Sequence, residues 1–314
     1  MPEITLWMWT GFLLAAYSVI ANDSIQTLGT WIASNRKVNW KIMWGFASAV
    51  LLIAIWYGWW AYDGDISYGR LNKIPFEGVE WYQALAPAVL LLLTRFGVPV
   101  STSFLVLSAF ASTLVLQKVL MKSMLGYAVA GVAAYFIWLA LTRLIDEGKS
   151  IKDSHKKWWS IGQWVTTGFL WWTWLSHDMA NIAVYLPRQI PVEVMFIISA
   201  VFIAGLAWML QHRGGKIQEI VVQKKNTKYV RSATLIDLFY FIILYVFKEM
   251  NDIPMSTTWV FVGLLTGREL AIASFRQKDS VKKVFPIVGR DFLKLMVGLA
   301  ASVGIVLVVQ YAKG

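Results

Sequence analysis

Apolar residues run along this chain in long blocks separated by short polar clusters, without the strict alternation of a half-buried strand. In the first half the blocks cover about 5–33, 40–61, 80–96, 99–117 and 122–144. In the second half they cover about 159–186, 191–211, 233–250, 254–273 and 290–312. These lengths approach or exceed the roughly 17–25 residues that cross a bilayer as a helix. Backbone in lipid must satisfy its own hydrogen bonds, so the pattern predicts an all-α integral membrane protein of about ten membrane segments. The first block of each half is polar at its centre. Asn22, Asp23, Ser24, Gln26 and Thr27 occupy one, and His177, Asp178 and Asn181 the other. These clusters predict helices interrupted near the midplane.

Five crossings per half is an odd number, so the second half must enter the membrane from the opposite side. That predicts two inverted-topology five-helix repeats, a plan common among secondary transporters. The expected divisions are a first transmembrane repeat over 1–145, a cytoplasmic linker over 146–158 and a second, inverted repeat over 159–314. Alternating the loops between the two faces puts 22 of the 29 Lys and Arg on one side and 7 on the other (29 − 22). The basic side is read as cytoplasmic, which leaves both termini outside. The loop from Asp63 to Gln83, with Asp63, Asp65, Glu77 and Glu80, falls on the external side.

Composition supports a membrane location. Of the 314 residues, 58% are hydrophobic and 15% charged, well below the roughly 25% usual in soluble domains. The formal charge of +11 is explained by basic cytoplasmic loops, so no nucleic-acid partner is invoked. Without cysteine the chain has no disulfide, thiol nucleophile or thiolate metal site. The run from Thr5 to Ala21 follows only Glu3 and leads straight into Asn22-Asp23, so it is read as a mature segment and not as a signal peptide. Trp56, Trp59, Trp60, Trp158, Trp159 and Trp171 lie near block ends, as an interfacial belt requires.

Two short motifs recur at equal spacing. Asp23 precedes Pro99-Val100-Ser101-Thr102-Ser103 by 76 positions (99 − 23), and Asp178 precedes Pro254-Met255-Ser256-Thr257-Thr258 by 76 (254 − 178). The copies are offset by 155 (178 − 23). Proline in a first turn followed by Ser and Thr marks a helix start. Such a start at the membrane surface is purely structural; inside the membrane, its free N–H groups and hydroxyls suit a small anion. An acid within a spanning segment costs roughly 2.5–3.5 kcal/mol on insertion scales, so it either sits in a solvated loop or faces an ion path. On the second reading Asp23 and Asp178 hold a cation such as Na⁺, aided by Asn22, Gln26 and Asn181. His177 is either a satisfied packing group or a proton relay beside Asp178.

The segments Ala21-Asn22-Asp23-Ser24-Ile25-Gln26 and Ser176-His177-Asp178-Met179-Ala180-Asn181, with the two Pro-x-Ser-Thr elements, resemble the repeated motifs of the inorganic phosphate transporter (PiT) family. The resemblance implies cation-coupled uptake of phosphate, or of sulfate, and a homodimer. It implies anion binding by Ser101, Thr102, Ser103, Ser256, Thr257 and Thr258, and cation binding by Asn22, Asp23, Gln26, Asp178 and Asn181. Several positions depart from the family pattern. Ile20 and Leu175 stand in place of Gly, Gln26 and His177 in place of Asn, and Phe104 and Trp259 where His follows the later motif.

The expectation is therefore a multi-pass cell-membrane symporter of a small oxyanion, coupled to Na⁺ or H⁺, working by alternating access and needing no organic cofactor. An intramembrane hydrolase or transferase using His177, Asp178 and a motif serine is the alternative from another class. A non-transporting scaffold is the third. Helix neighbours point about 100° apart, which places Asp178 poorly to orient His177 as a base.

Overall fold

A computed structural model describes residues 4–95, 100–144, 153–213, 230–250, 256–276 and 278–313. Among these the chain is helical. Thr5 caps the first helix, α1 (Leu6–Ser18), by accepting the Met8 amide at 3.3 Å. A π-helical turn, Val19–Asp23, joins it to α2 (Ser24–Ser34). The polar centre thus widens the helix without unwinding it. Ser24 Oγ donates to the Ile20 carbonyl at 2.6 Å and Thr27 Oγ1 to the Ser24 carbonyl at 2.9 Å, which helps satisfy carbonyls where the helical ladder changes register. Helices α3 (Trp40–Ala61) and α4 (Trp81–Arg95) follow, then the short α5 (Thr102–Leu107) and the long α6 (Thr113–Leu144).

The second half opens on α7 (Asp153–Asp178), which a single turn residue, Met179, separates from α8 (Ala180–Ala183). Then come α9 (Val192–Gln211), α10 (Val230–Met250), α11 (Thr257–Arg276) and α12 (Lys278–Lys313). Among the described residues, five stretches are long and apolar enough to cross a membrane: Trp40–Ala61, Leu114–Leu141, Val192–Gln211, Thr257–Phe275 and Val284–Ala312. The chain is a multi-pass membrane protein.

Several expected boundaries change. The blocks 99–117 and 122–144 predict two spans with Lys118 and Lys122 in a loop between them. Instead α5 stops after six residues, about 9 Å at 1.5 Å per residue, too short for a roughly 30 Å hydrocarbon core. Helix α6 then runs unbroken through both lysines, Lys118 exposed and Lys122 buried. Long lysine stems lie along apolar surface, so a lysine does not by itself end a helix. Arg268, counted with the basic loops, is fully buried in α11, over the Trp138 ring at 5.7 Å and bonded to Glu269 at 2.7 Å. Part of the predicted 146–158 linker is helical, since α7 starts at Asp153; residues 146–152 lie outside the described residues. Trp171 is no belt residue: it is buried, stacks on Trp174 and donates to the Ala47 carbonyl at 3.0 Å.

Helices α3 and α9 lie antiparallel. The end of α3 meets the start of α9, where Trp59 Nε1 donates to the Ile190 carbonyl at 2.7 Å and the Ile190 amide to Gly64 O at 3.0 Å. At the other end Arg213, just after α9, donates to the Val38 carbonyl at 2.9 Å. Helices α6 and α11 pack backbone to backbone, because a Cβ on Gly267 would stand 1.9 Å from the Gly131 carbonyl oxygen. Similarly, Ile20 of the π turn fits against α9 because Gly205 has no side chain there.

The segment between α3 and α4 folds back onto the second half. Asp65 accepts bonds from the Ser67 amide and hydroxyl, both at 2.7 Å, and from the Gly69 amide at 3.0 Å. The turn so formed carries Arg70 inward, to 3% exposure, where its Nε donates to the Ser176 carbonyl at 2.7 Å. From the second half, Arg188 reaches back to the Ile74 carbonyl at 3.1 Å.

Candidate functional site

The two helix starts form as the motifs predict. Ser101 Oγ accepts the Phe104 amide and Ser256 Oγ the Trp259 amide, each at 3.2 Å, so both serines are N-caps. Pro99 and Pro254 lie outside the described residues. The next residue in each copy turns to the carboxylate of its own half. Thr102 Oγ1 donates to Asp23 Oδ2, and Thr257 Oγ1 to Asp178 Oδ2 at 2.7 Å. Each pair is separated by 79 positions (102 − 23 and 257 − 178).

The halves are also crossed by their amides. Gln26 Nε2 donates to Asp23 Oδ1 at 3.4 Å and to Thr258 Oγ1, in the other half, at 3.0 Å. Asn181 Nδ2 donates to Asp178 Oδ1 at 2.9 Å and to Ser103 Oγ, in the other half, at 3.2 Å. Positions 26 and 181 differ by 155, as do 103 and 258. One bond pattern therefore occurs twice, and Gln26 does the work of Asn181. Ser103 Oγ also lies 3.5 Å from Asp178 Oδ1. Asp23 and Asp178 are each 1% exposed, and the serines and threonines of both motifs are buried. The backbone of Asn22 belongs to the π turn; its side chain lies outside the described residues.

Of the hydroxyls expected to meet an anion, those of Thr102 and Thr257 thus donate to the carboxylates expected to hold a cation, and Ser103 and Thr258 join the same network through Asn181 and Gln26. A carboxylate only accepts, so it draws the nearest donors. The same reasoning orients the amides: their nitrogens face the carboxylates and their oxygens are left over. Gln26 Oε1 and Asn181 Oδ1 are buried and have no hydrogen-bond partner among the described residues. An unsatisfied buried carbonyl costs about 1–3 kcal/mol, and such an acceptor is satisfied by a water or by a cation. Two leftover amide oxygens beside two carboxylates are oxygen ligands suited to a hard cation. Among the described residues there is no group of three or more His, Asp and Glu side chains able to hold a metal.

His177 is buried, and its Nε2 lies 3.1 Å from the Leu244 carbonyl of α10. A carbonyl accepts, so Nε2 carries the hydrogen and the ring is tied to backbone. Three further groups lie outside the repeated motifs. Arg70 brings positive charge within electrostatic reach of Asp178. Tyr240 donates to the Thr257 carbonyl at 3.0 Å, within electrostatic reach of Asp23 and Asp178. Asp237, 1% exposed on α10, accepts from Thr30 and Thr167. An acid inside the apolar block 233–250 is a legible signal for Asp237, but Arg70 comes from a loop and carries none.

No protein-family model matches the chain, and no curated protein matches it. A solved structure described as "The sodium-dependent phosphate transporter" has the same fold, with a TM-score of 0.60 at 17% sequence identity, covering 97% of this chain and 98% of the other.

Proposed function

We propose that this protein is a secondary active transporter that moves a small inorganic oxyanion together with Na⁺ or H⁺ by alternating access, with phosphate the first substrate and sulfate the second. The doubled network carries this reading. Two buried carboxylates, each held by a motif threonine of its own half and tied by an amide to the other half, make a centre that either half can open. The leftover oxygens of Gln26 and Asn181, with Asp23 and Asp178, serve the cation, and the hydroxyls of Thr102, Ser103, Thr257 and Thr258 serve the anion. A cation entering beside the carboxylates would release the Thr102 and Thr257 hydroxyls to donate to the anion. Cation and anion would then bind together, which is the basis of symport. Ser101 and Ser256 keep the helix starts in place.

The halves are read as inverted repeats. The antiparallel pairing of α3 with α9, the second long helix of each half, supports this. The shared fold with a sodium-dependent phosphate transporter supports the choice of ions. The hydrolase reading is weaker, because the His177 nitrogen that bears the hydrogen faces a backbone carbonyl. A homodimer and external termini complete the proposal.

Uptake into proteoliposomes tests it. Labelled phosphate and sulfate are offered under an inward Na⁺ gradient, a proton gradient or neither. Accumulation of phosphate under a gradient, and not without one, is the expected result. Accumulation of neither anion under any gradient, with no binding of either, would sink the proposal.

A further inference from the structure

Asp237 belongs to no motif, and the position 155 residues earlier is Tyr82 (237 − 155), so its carboxyl is not doubled. Thr30 Oγ1 of α2 donates to Oδ1 at 2.5 Å, and Thr167 Oγ1 of α7 donates to Oδ2 at 2.6 Å. Among the described residues no cation pairs with it. Helix α10 packs on α2, α7, α11 and α6. Of these, α2 has Asp23 at its head, seven residues from Thr30 (30 − 23), or about 10 Å at 1.5 Å per residue. Helix α7 carries His177 and Asp178 at one end and His155, Lys156 and Lys157 at the other. Helix α11 offers Arg268, which reaches Ser232 on α10, and Glu269; α6 offers Lys118, Lys122, Tyr127 and Tyr135. On α10 itself Tyr240 lies one turn along and is committed to the Thr257 carbonyl, while Arg231 lies near the opposite end.

A carboxylate buried in the bundle without a cationic partner is costly and is neutralised by a proton or a metal ion. Two features favour the proton. The hydroxyl and carboxylate oxygens are already in contact, at the 2.5–2.7 Å typical of charge-assisted O–H···O⁻ bonds, which leaves no space between them for an ion. Both threonines are also interior to helices, where a hydroxyl can turn to the carbonyl four residues back, here that of Gln26 or Gln163. One Thr oxygen then accepts from the single O–H of the protonated carboxyl, while the other hydroxyl goes on donating to its second oxygen. The same three side chains therefore fit both states without backbone movement.

The position suits a proton path. Gln26, Thr30 and Ser34 lie four apart on one face of α2. Gln163 Nε2 donates to Ser34 Oγ at 2.6 Å, and Asn35 Nδ2 to Gln163 Oε1 at 2.9 Å. A polar file thus runs from the double-carboxylate centre, past Asp237, to the end of α2.

We propose that Asp237 is a proton-binding site on this file, and that its gain and loss of a proton sets the pH dependence of the carrier. The step is COO⁻ plus H⁺ giving COOH, reversed by release to water. The second part rests on the transporter reading; the first does not.

Infrared difference spectra of the full-length protein in lipid, between roughly pH 5 and pH 9, where buried carboxyls titrate, test the first part directly. A carboxylic-acid C=O band is expected to appear at the acid end in the wild type and to be missing in Asp237→Asn. Should Asp237→Asn fold poorly, Thr30→Val provides the check, because losing a hydrogen-bond partner moves the same band to higher frequency. Identical difference bands in wild type and both variants would overturn the assignment, as would removal of the band by NaCl at fixed pH, which marks a metal site. For the second part, proteoliposome uptake by Asp237→Asn should vary less than about twofold across the pH range in which wild-type uptake changes about tenfold, the change that one pH unit makes in the ratio of protonated to unprotonated carboxyl. Equal pH profiles would overturn it. Uptake by neither protein, with the infrared band intact, refutes the transporter reading and leaves the proton site standing.

Discussion

At the scale of single residues, the centre depends on acceptors outnumbering donors. Asp23 and Asp178 take the hydroxyl hydrogens of Thr102 and Thr257 and an amide hydrogen each from Gln26 and Asn181, and two amide oxygens remain. Replacing either acid with Asn removes the charge that would draw a cation and keeps the shape. Asp23→Asn and Asp178→Asn are each expected to raise the Na⁺ concentration for half-maximal uptake by about 10–100-fold, the range seen when a metal site loses supporting groups. A Na⁺ titration of uptake measures this, and unchanged midpoints would remove the carboxylates from the cation site. Arg70 has a different role. Its guanidinium crosses from the α3–α4 segment to the Ser176 carbonyl, beside the acid of the second half. Arg70→Met is expected to lower stability by about 1–3 kcal/mol, since a buried carbonyl loses its donor. Thermal unfolding in detergent reads the loss. Arg70→Lys should not restore it, because the bond comes from the Nε of a planar fork that lysine lacks.

At the scale of elements, two departures from straight α-helix bring the motifs together. The π turn Val19–Asp23 and the turn at Met179 place Asp23 and Asp178 against the helix starts at Thr102 and Thr257. The crossed amide bonds then join the halves. Gln26→Ala with Thr258→Ala, and Asn181→Ala with Ser103→Ala, should each show coupling of about 0.5–3 kcal/mol in double-mutant cycles of stability, the range for residues in one hydrogen-bond network. Additive losses in both cycles would mean that the two bonds are incidental. Apolar blocks and capping residues made most helices legible, but not the division between α5 and α6. Lys118 and Lys122 interrupt the apolar run without interrupting the helix, whereas α5 ends before the stretch from Ser108 to Ser112 with no proline or glycine to mark the place.

At the scale of the molecule, the antiparallel α3–α9 pair bears on orientation. Lys37 precedes α3, Lys73 follows it, and Gln189 precedes α9; all three are exposed. The chain has no cysteine, so single cysteines placed at these positions report cleanly. A membrane-impermeant thiol reagent is expected to label Lys73→Cys and Gln189→Cys from one side of sealed vesicles and Lys37→Cys from the other. Labelling of Lys37→Cys and Gln189→Cys from the same side would contradict inverted halves, since both positions directly precede the second long helix of their half.

Some properties of this protein follow from its sequence alone. Apolar blocks in lipid have few structural options, so helical class and membrane residence can be read from composition and block length. Local hydrogen bonding determines a helix start, so Ser101 and Ser256 can be recognised as caps from their neighbours. Equal spacing of the two acids and the two Ser-Thr elements reveals the doubling. Only the tertiary structure decided which donor meets which acceptor. Gln26 reaches Thr258 across the halves, Arg70 comes in from a loop, and Asp237 finds Thr30 and Thr167 on two other helices. Such pairings depend on helix rotation and crossing to within an ångström or so, and neither apolar periodicity nor motif spacing carries that information.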